Sequence, residues 1–272
     1  MLGAVPEPVL SIVILTWDSR ALLEPCLAAL PAATAPVAWE VVVVDNGSCD
    51  DTAAFLARRS DLVVIRNSRN RGVAPARNQG LRAARGAFVA LLDVDTVAAP
   101  GALATLVTFL QGAPDVGLVG PKLVGPDGRL QYSCRRFPTL LDKIGRRLPA
   151  RWGRVFAADV ELRSWDHASA RDVDYVIGAC QVIRRSALDE VGLLDERIFY
   201  GPEDVDLCLR LHRAGWRVVY VPQALVMHHE QRVTRRLLSR LTARHVQALG
   251  YYFWKHGYLL RRPSVPGGRR AA

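Results

Sequence analysis

Four short runs of apolar, mostly β-branched residues punctuate the first third of the chain: Val9–Leu15, Val41–Val44, Leu62–Ile65 and Phe88–Leu92. Runs of this length without polar alternation predict strands covered on both faces, as in a parallel sheet. Between them lie segments of helical length, Ser19–Leu30, Cys49–Arg59 and Ala74–Arg85. The order β-α-β-α-β-α-β predicts an α/β fold with a doubly wound, mostly parallel sheet and right-handed crossovers. Beyond Asp95 the rhythm changes. A helix is expected over Pro100–Leu110, a strand over Val116–Val124, and a turn at Pro126-Asp127-Gly128-Arg129. Thr139–His167 mixes Gly, Pro, Trp and charge without a clear period and reads as a loop-rich lid or acceptor region. Val173–Arg184 reads as a strand, Glu203–Ala214 as a helix, Arg217–Val221 as a closing strand and Val233–Tyr252 as a helix rich in Arg.

The chain has 272 residues, half of them hydrophobic, which suits one generous domain or two halves sharing a core. The N-terminus lacks a basic leader and its apolar run is broken by Pro6, Glu7 and Pro8, a poor signal peptide. No apolar stretch approaches the roughly 20 residues that span a bilayer. Five dispersed cysteines without a CxxC read as reduced thiols, and so as a cytoplasmic protein. The net charge of +10 is local, because residues 231–272 hold ten Lys or Arg and no Asp or Glu. A basic tail on a neutral body argues against nucleic acid and suits anionic lipid at the inner membrane face. Arg232, Arg235, Arg236, Arg240 and Arg244, with Leu237, Leu238 and Leu241, would make that contact, and Tyr251, Tyr252, Phe253 and Trp254 would suit the interface.

Ligands of open α/β sheets gather at the carboxyl ends of strands. Three such ends carry polar groups: Thr16-Trp17-Asp18, Asp45-Asn46-Gly47-Ser48 and Asp93-Val94-Asp95. The last pair is the most telling, since two carboxylates flanking one residue repel unless solvated or bridged by a cation such as Mg²⁺ or Mn²⁺. In Asn70–Asn78, Gly72 permits a close backbone approach, Pro75 suits a first helical turn, and Arg77 could reach phosphate. Glu203-Asp204 opens a helix whose buried stripe would hold Asp204 in place as a general base. His228 follows an apolar run and could ligate a metal.

Together these segments resemble the family-two glycosyltransferases of the GT-A fold, a Rossmann-like nucleotide-binding half fused to an acceptor-binding half. The matching stretches, in order, are SIVILTWDS, VVVVDNGSCDDT, NRGVAPARNQGLRAARG, FVALLDVDT, VIGACQVIRRSALDEVGLLDERIFYGPEDVDLCLRLHRAGWRVVYVP and VMHH. PDGRLQYSCRRFPT and YYFWKHG are similar to the rhamnosyltransferase-type branch. The resemblance implies transfer with inversion from a nucleotide-sugar, dTDP-rhamnose first, to a hydroxyl of a cell-envelope glycan or lipid-linked acceptor. It assigns Thr16, Asp45, Asn70, Gly72, Arg77 and Asp93 to the donor, and Asp95 and His228 to a divalent metal. It gives Gly178, Ala179 and Glu203 to the acceptor and makes Asp204 the catalytic base. Residues 1–97 would bind the nucleotide-sugar, 98–230 the acceptor, and 231–272 would form the basic helical extension. Trp17-Asp18 and His229-Glu230-Gln231 depart from the usual pattern. A degenerate membrane-associated subunit would keep this fold without turnover. A nucleotidyltransferase would show a Gly-rich basic signature after the first strand, and a Rossmann dehydrogenase a GxGxxG; neither is present.

Overall fold

The computed structural model describes residues 7–145, 150–230 and 240–265. The chain runs through β1 (Leu10–Thr16), α1 (Arg20–Thr34), β2 (Trp39–Asp45), α2 (Thr52–Leu56), β3 (Val63–Arg66), α3 (Val73–Ala83), β4 (Phe88–Asp93) and β5 (Thr96–Ala98). Next come α4 (Ala102–Gly112), β6 (Val116–Val124), β7 (Leu130–Gln131), β8 (Cys134–Arg135), α5 (Leu140–Gly145), α6 (Ala150–Val160), β9 (Arg171–Asp172) and β10 (Tyr175–Val176). It closes with β11 (Cys180–Arg184), α7 (Arg185–Val191), α8 (Glu203–Arg213), β12 (Arg217–His228) and α9 (Arg240–His256).

One sheet carries the molecule, in the order β3-β2-β1-β4-β11-β6-β12-β5, with β7 beside β6 and β9 beside β12. β1, β2, β3 and β4 pair in parallel, β11 enters antiparallel between β4 and β6, and β12 runs parallel to β6. The all-apolar strands have the physical reason expected of them, since their alternate side chains serve two cores. Leu10, Ile12, Ile14, Val41 and Val43 face α1 and α4, whereas Val13, Val42, Val89 and Leu91 face the layer of α3, α7 and α8. The core is thus split by the sheet, and the site lies where its central strands end.

Four expectations change. The strand at residues 63–66 is an edge, with Val63 44% exposed rather than buried. Thr139–His167 contains two helices instead of a structureless lid. Thr139 and Asp142 cap α5 reciprocally: Thr139 N–H and Oγ1–H both donate to Asp142 Oδ2 at 2.8 Å, and Asp142 N–H donates to Thr139 Oγ1 at 3.2 Å. The stretch Val173–Arg184 divides at residues 177–179 into β10 and β11, which belong to different sheets. β12 continues past Val221 to His228, pairing first with β6 and then with β5.

The C-terminal helix is part of the body. Tyr252 and Phe253 are buried in the second core rather than offered to an interface, while Trp254 is 75% exposed. Arg244 stacks over Phe199. Arg232, Arg235, Arg236, Leu237 and Leu238 lie outside the described residues, as do the side chains of Arg240 and Leu241.

Candidate active site

The Asp93-Val94-Asp95 turn leaves the centre of the sheet and leads into β5. Thr96 pairs with His228 in register, and His229 N–H donates to Asp95 O at 2.8 Å. That pairing brings a residue near position 228 to the end of β4. Asp93, Asp95 and His228 each offer a ligand atom, all within 4.8 Å of one another. His228 Nε2 lies 3.6 Å from Asp95 Oδ1. On the other side of the ring, Nδ1 meets Gln131 Oε1 at 2.8 Å, and Gln131 Nε2–H donates to His228 O at 2.9 Å. The Gln131 oxygen can only accept, so Nδ1–H donates to it, and Nε2 is the nitrogen left facing the carboxylates, the placement of a metal-binding imidazole. Two carboxylates and one such imidazole fit a divalent ion such as Mn²⁺ or Mg²⁺. Gln131, on two-residue β7, was not singled out from sequence, although it lies in the PDGRLQYSCRRFPT stretch that is similar to the rhamnosyltransferase-type branch.

Arg77 binds the two acidic motifs into one unit. Its guanidinium is buried and donates to Asp93 Oδ1 and, at 2.8 Å, to Gly178 O; Nη1 stands 3.5 Å from Glu203 Oε1. Burial pulls its pKa down, and the charges of Asp93, Glu203 and Asp204 more than offset that. Arg77 is therefore engaged with protein carboxylates, with Asp93 of the expected donor side among them. A Cβ on Gly178 would stand 2.8 Å from Arg77 Nη1, so a larger residue there would push the guanidinium aside.

The turn between β10 and β11 is the hub. Gly178 N–H donates to Asp204 Oδ2 at 3.0 Å, and Asp93 N–H donates to Ala179 O at 2.9 Å. The Ala179 side chain is buried in the first core. Asp204 Oδ1 also accepts Val205 N–H at 2.8 Å, which holds the carboxylate at the first turn of α8. Glu203 is buried, and burial first, then the Asp204 charge, pushes its carboxyl up to about 7; Arg77 opposes them.

On the other flank, Thr16 and Asp45 are buried at the ends of β1 and β2. Asp45 Oδ1 accepts Ser48 N–H at 2.9 Å, while Oδ2 has Arg66 Nε 3.4 Å away. Asn70 Oδ1 accepts Gly72 N–H at 2.9 Å and Asn46 Nδ2–H at 3.1 Å, a bracket that shapes the turn before α3. Gly72 has φ +92°, and a Cβ there would lie 2.6 Å from the Phe199 ring. The close approach that needs this glycine is thus made by Phe199 of the 192–202 loop. Trp17 is 51% exposed and open to a ligand's flat face. Among the described residues, buried side-chain atoms without a hydrogen-bond partner include Thr16 Oγ1, Asp45 Oδ2 and Glu203 Oε2. Unsatisfied polar atoms cost free energy when buried, and these three sit where a polar ligand would complete them.

The sequence model of the family described as "Glycosyltransferase like family 2" matches residues 6–248. An N-acetylglucosaminyl-diphospho-decaprenol L-rhamnosyltransferase of Mycobacterium tuberculosis is 33% identical over 270 residues, covering 94% of this chain and 87% of that protein. A pre-mycofactocin glycosyltransferase of the same organism is 34% identical over 203 residues, 74% of this chain and 39% of that protein. Among solved structures, a mannosyltransferase from Pyrobaculum calidifontis in complex with GDP-Man and Mn²⁺ superposes with a TM-score of 0.63 at 22% identity, covering 94% of this chain. GalNAc-T7 with UDP, GalNAc and Mn²⁺ gives the same TM-score at 18% identity, covering 93%. This chain spans 66% and 51% of the lengths of those two structures, which are likenesses of fold.

Proposed function

The chain belongs to the family-2 glycosyltransferases and is a hexosyltransferase of GT-A fold; we propose that it transfers rhamnose from dTDP-rhamnose, with inversion, to a hydroxyl of a lipid-diphosphate-linked cell-envelope glycan. The observation that carries the reading is the joining of Asp93, Asp95 and His228 to Glu203-Asp204 through one buried arginine, Arg77. The rhamnosyltransferase likeness over 94% of the chain supports the donor sugar and the acceptor class. Such an acceptor would place the enzyme at the inner face of the cytoplasmic membrane.

Residues 1–97 supply the donor side. Thr16 Oγ1 and Asp45 Oδ2, both buried and without hydrogen-bond partners, are suited to a nucleoside's polar edge. Asn70 and Gly72 keep the loop before α3 in the shape that frames the donor. Asp95 and His228 would hold the divalent ion, with Asp93 shared between it and Arg77; bound there, the ion neutralises charge on the leaving diphosphate. Residues 98–230 supply the acceptor side. Asp204 takes the proton of the attacking hydroxyl, each of its oxygens keeping a lone pair beyond the backbone bonds it accepts. Glu203 Oε2 is free of hydrogen-bond partners and faces the same space, where it binds the acceptor. Displacement from the opposite side of the sugar inverts the anomeric carbon.

The test is a panel of nucleotide-sugars with Mn²⁺ or Mg²⁺ and a lipid-linked N-acetylglucosamine acceptor. Nucleoside diphosphate release should require metal, favour dTDP-rhamnose and vanish in Asp95→Ala. Asp204→Asn should lower kcat by roughly 10²–10⁴-fold while donor binding, read by thermal shift, persists. Absence of binding to every donor would replace this reading with that of a partner subunit that has lost turnover.

A further inference from the structure

We propose that the outer face of α9, together with α5 and the turn at residues 257–260, seats the protein on an anionic lipid surface. Along α9 the side chains divide by helical spacing. Ala248, Tyr252 and His256 are buried against the body, while Val246 and Trp254 are 50% and 75% exposed on the other side. Between that side and α5 lies an apolar groove of about 650 Å³, lined by Leu140, Ile144, Val246, Phe253, Trp254 and Leu259 among others. Of the ten exposed large hydrophobic residues among those described, six belong to α5, α9 and the turn: Leu141, Ile144, Val246, Trp254, Leu259 and Leu260. Exposed apolar area gathered in one place marks a surface that something covers.

Charge decides what covers it. In sequence, residues 231–272, which include α9, hold ten basic and no acidic residues. Lys143 lines the groove and Arg261, just after Leu260, is exposed. The acid within α5, Asp142, is buried and accepts from Thr139 and Arg262. A second copy docking face to face would oppose like charges across the contact. A bilayer with anionic headgroups offers an apolar layer under a negative plane, which matches exposed apolar side chains beside Lys143 and Arg261, with a tryptophan at the boundary.

The same helix reaches the acceptor side of the site. His245, next to Val246, has Nδ1 3.2 Å from Tyr200 O in the loop leading into Glu203. That contact fastens α9 to the loop that carries the acceptor acid. This surface is distinct from the donor chemistry, and its test needs no turnover.

Flotation of the full-length protein with phosphatidylcholine vesicles, with and without phosphatidylglycerol, tests it. The protein should float with the anionic vesicles only. Ile144→Ser combined with Trp254→Ser, both exposed positions, should weaken partition by about 10-fold or more while leaving the melting temperature and the nucleotide-induced thermal shift intact. Lys143→Glu with Arg261→Glu should weaken the anionic preference without touching the apolar residues. Equal flotation with neutral vesicles, or binding unaffected by either pair, would overturn the proposal. So would a dimer in sedimentation velocity that the serine pair dissolves. Loss of donor binding in the wild type would sink the proposed activity and leave the lipid result standing.

Discussion

Glu203 is the residue at which burial and charge compete most openly. Its carboxyl sits among Asp204, Asp93 and Arg77, and burial outweighs the guanidinium enough to raise it from the usual carboxylate range to about 7. A carboxyl with a higher pKa in the folded than in the unfolded chain holds its proton more tightly when folded. Its contribution to stability is complete below the unfolded pKa near 4.5 and is lost as pH rises toward about 7. With metal chelated, the stability of wild type relative to Glu203→Gln should therefore fall between pH 5 and 7.5, by roughly 2–3 kcal/mol in urea melts. A flat difference would mean that Glu203 is ionised in the folded state across that range. Arg77 plays the complementary part, since its loss would leave buried carboxylates facing one another without a counter-charge. Neither behaviour is visible in the local sequence, where Arg77 reads as a phosphate ligand and Glu203 as a residue gaining from a helix dipole.

Elements in this fold are held to the site by backbone contacts more than by regular pairing. The turn entering α3 depends on Gly72, whose φ of +92° and contact with Phe199 leave no room for a side chain. Val73 N–H donates to Phe199 O at 2.7 Å, fastening the loop before α8 to the helix on the donor side. Gly72→Ala should cost about 1–3 kcal/mol, from the left-handed backbone and the displaced ring, and should weaken donor binding through that loop. Calorimetry with and without nucleotide measures both. An unchanged melting temperature would show that the loop gives way freely. The glycine was evident in sequence; its partner, 127 positions on, was not. By contrast, the Thr139 and Asp142 cap was written in the sequence as a three-residue spacing, overlooked amid mixed composition.

At the scale of the molecule, the C-terminal helix behaves as a structural member. Asp206 on α8 is fully buried, and Lys255 Nζ at 2.6 Å, His256 Nε2 at 2.8 Å and Arg210 Nε at 2.8 Å surround it. Burial alone would raise this carboxyl, but hydrogen bonds and cations, His256 first, hold it well below the usual range. A chain ending at residue 230 would keep Asp206 and lose Lys255, His256 and the buried ring of Tyr252. Stripping partners from a buried charge costs about 3–5 kcal/mol, a large share of a typical domain's stability. The truncated chain should show no cooperative thermal transition by circular dichroism; a native-like transition would make residues 231–272 a dispensable appendage. Among the described residues no helix is long and apolar enough to cross a membrane.

What the sequence determined by itself was whatever neighbouring residues decide among themselves. Period and branching in β1, β2 and β4 marked buried strands, because a strand covered on both faces must be apolar throughout. The ordered motifs marked the family, and with it Asp93, Asp95, Asp204 and His228. Tertiary structure decided which side chains meet: Gln131 behind His228, Arg77 between two acids, Phe199 against Gly72, and Asp206 under α9. Those pairings join positions that are close in space through sheet order and helix packing, and the free energy that selects them comes from burying charge and apolar surface together. Local pattern carries no record of either.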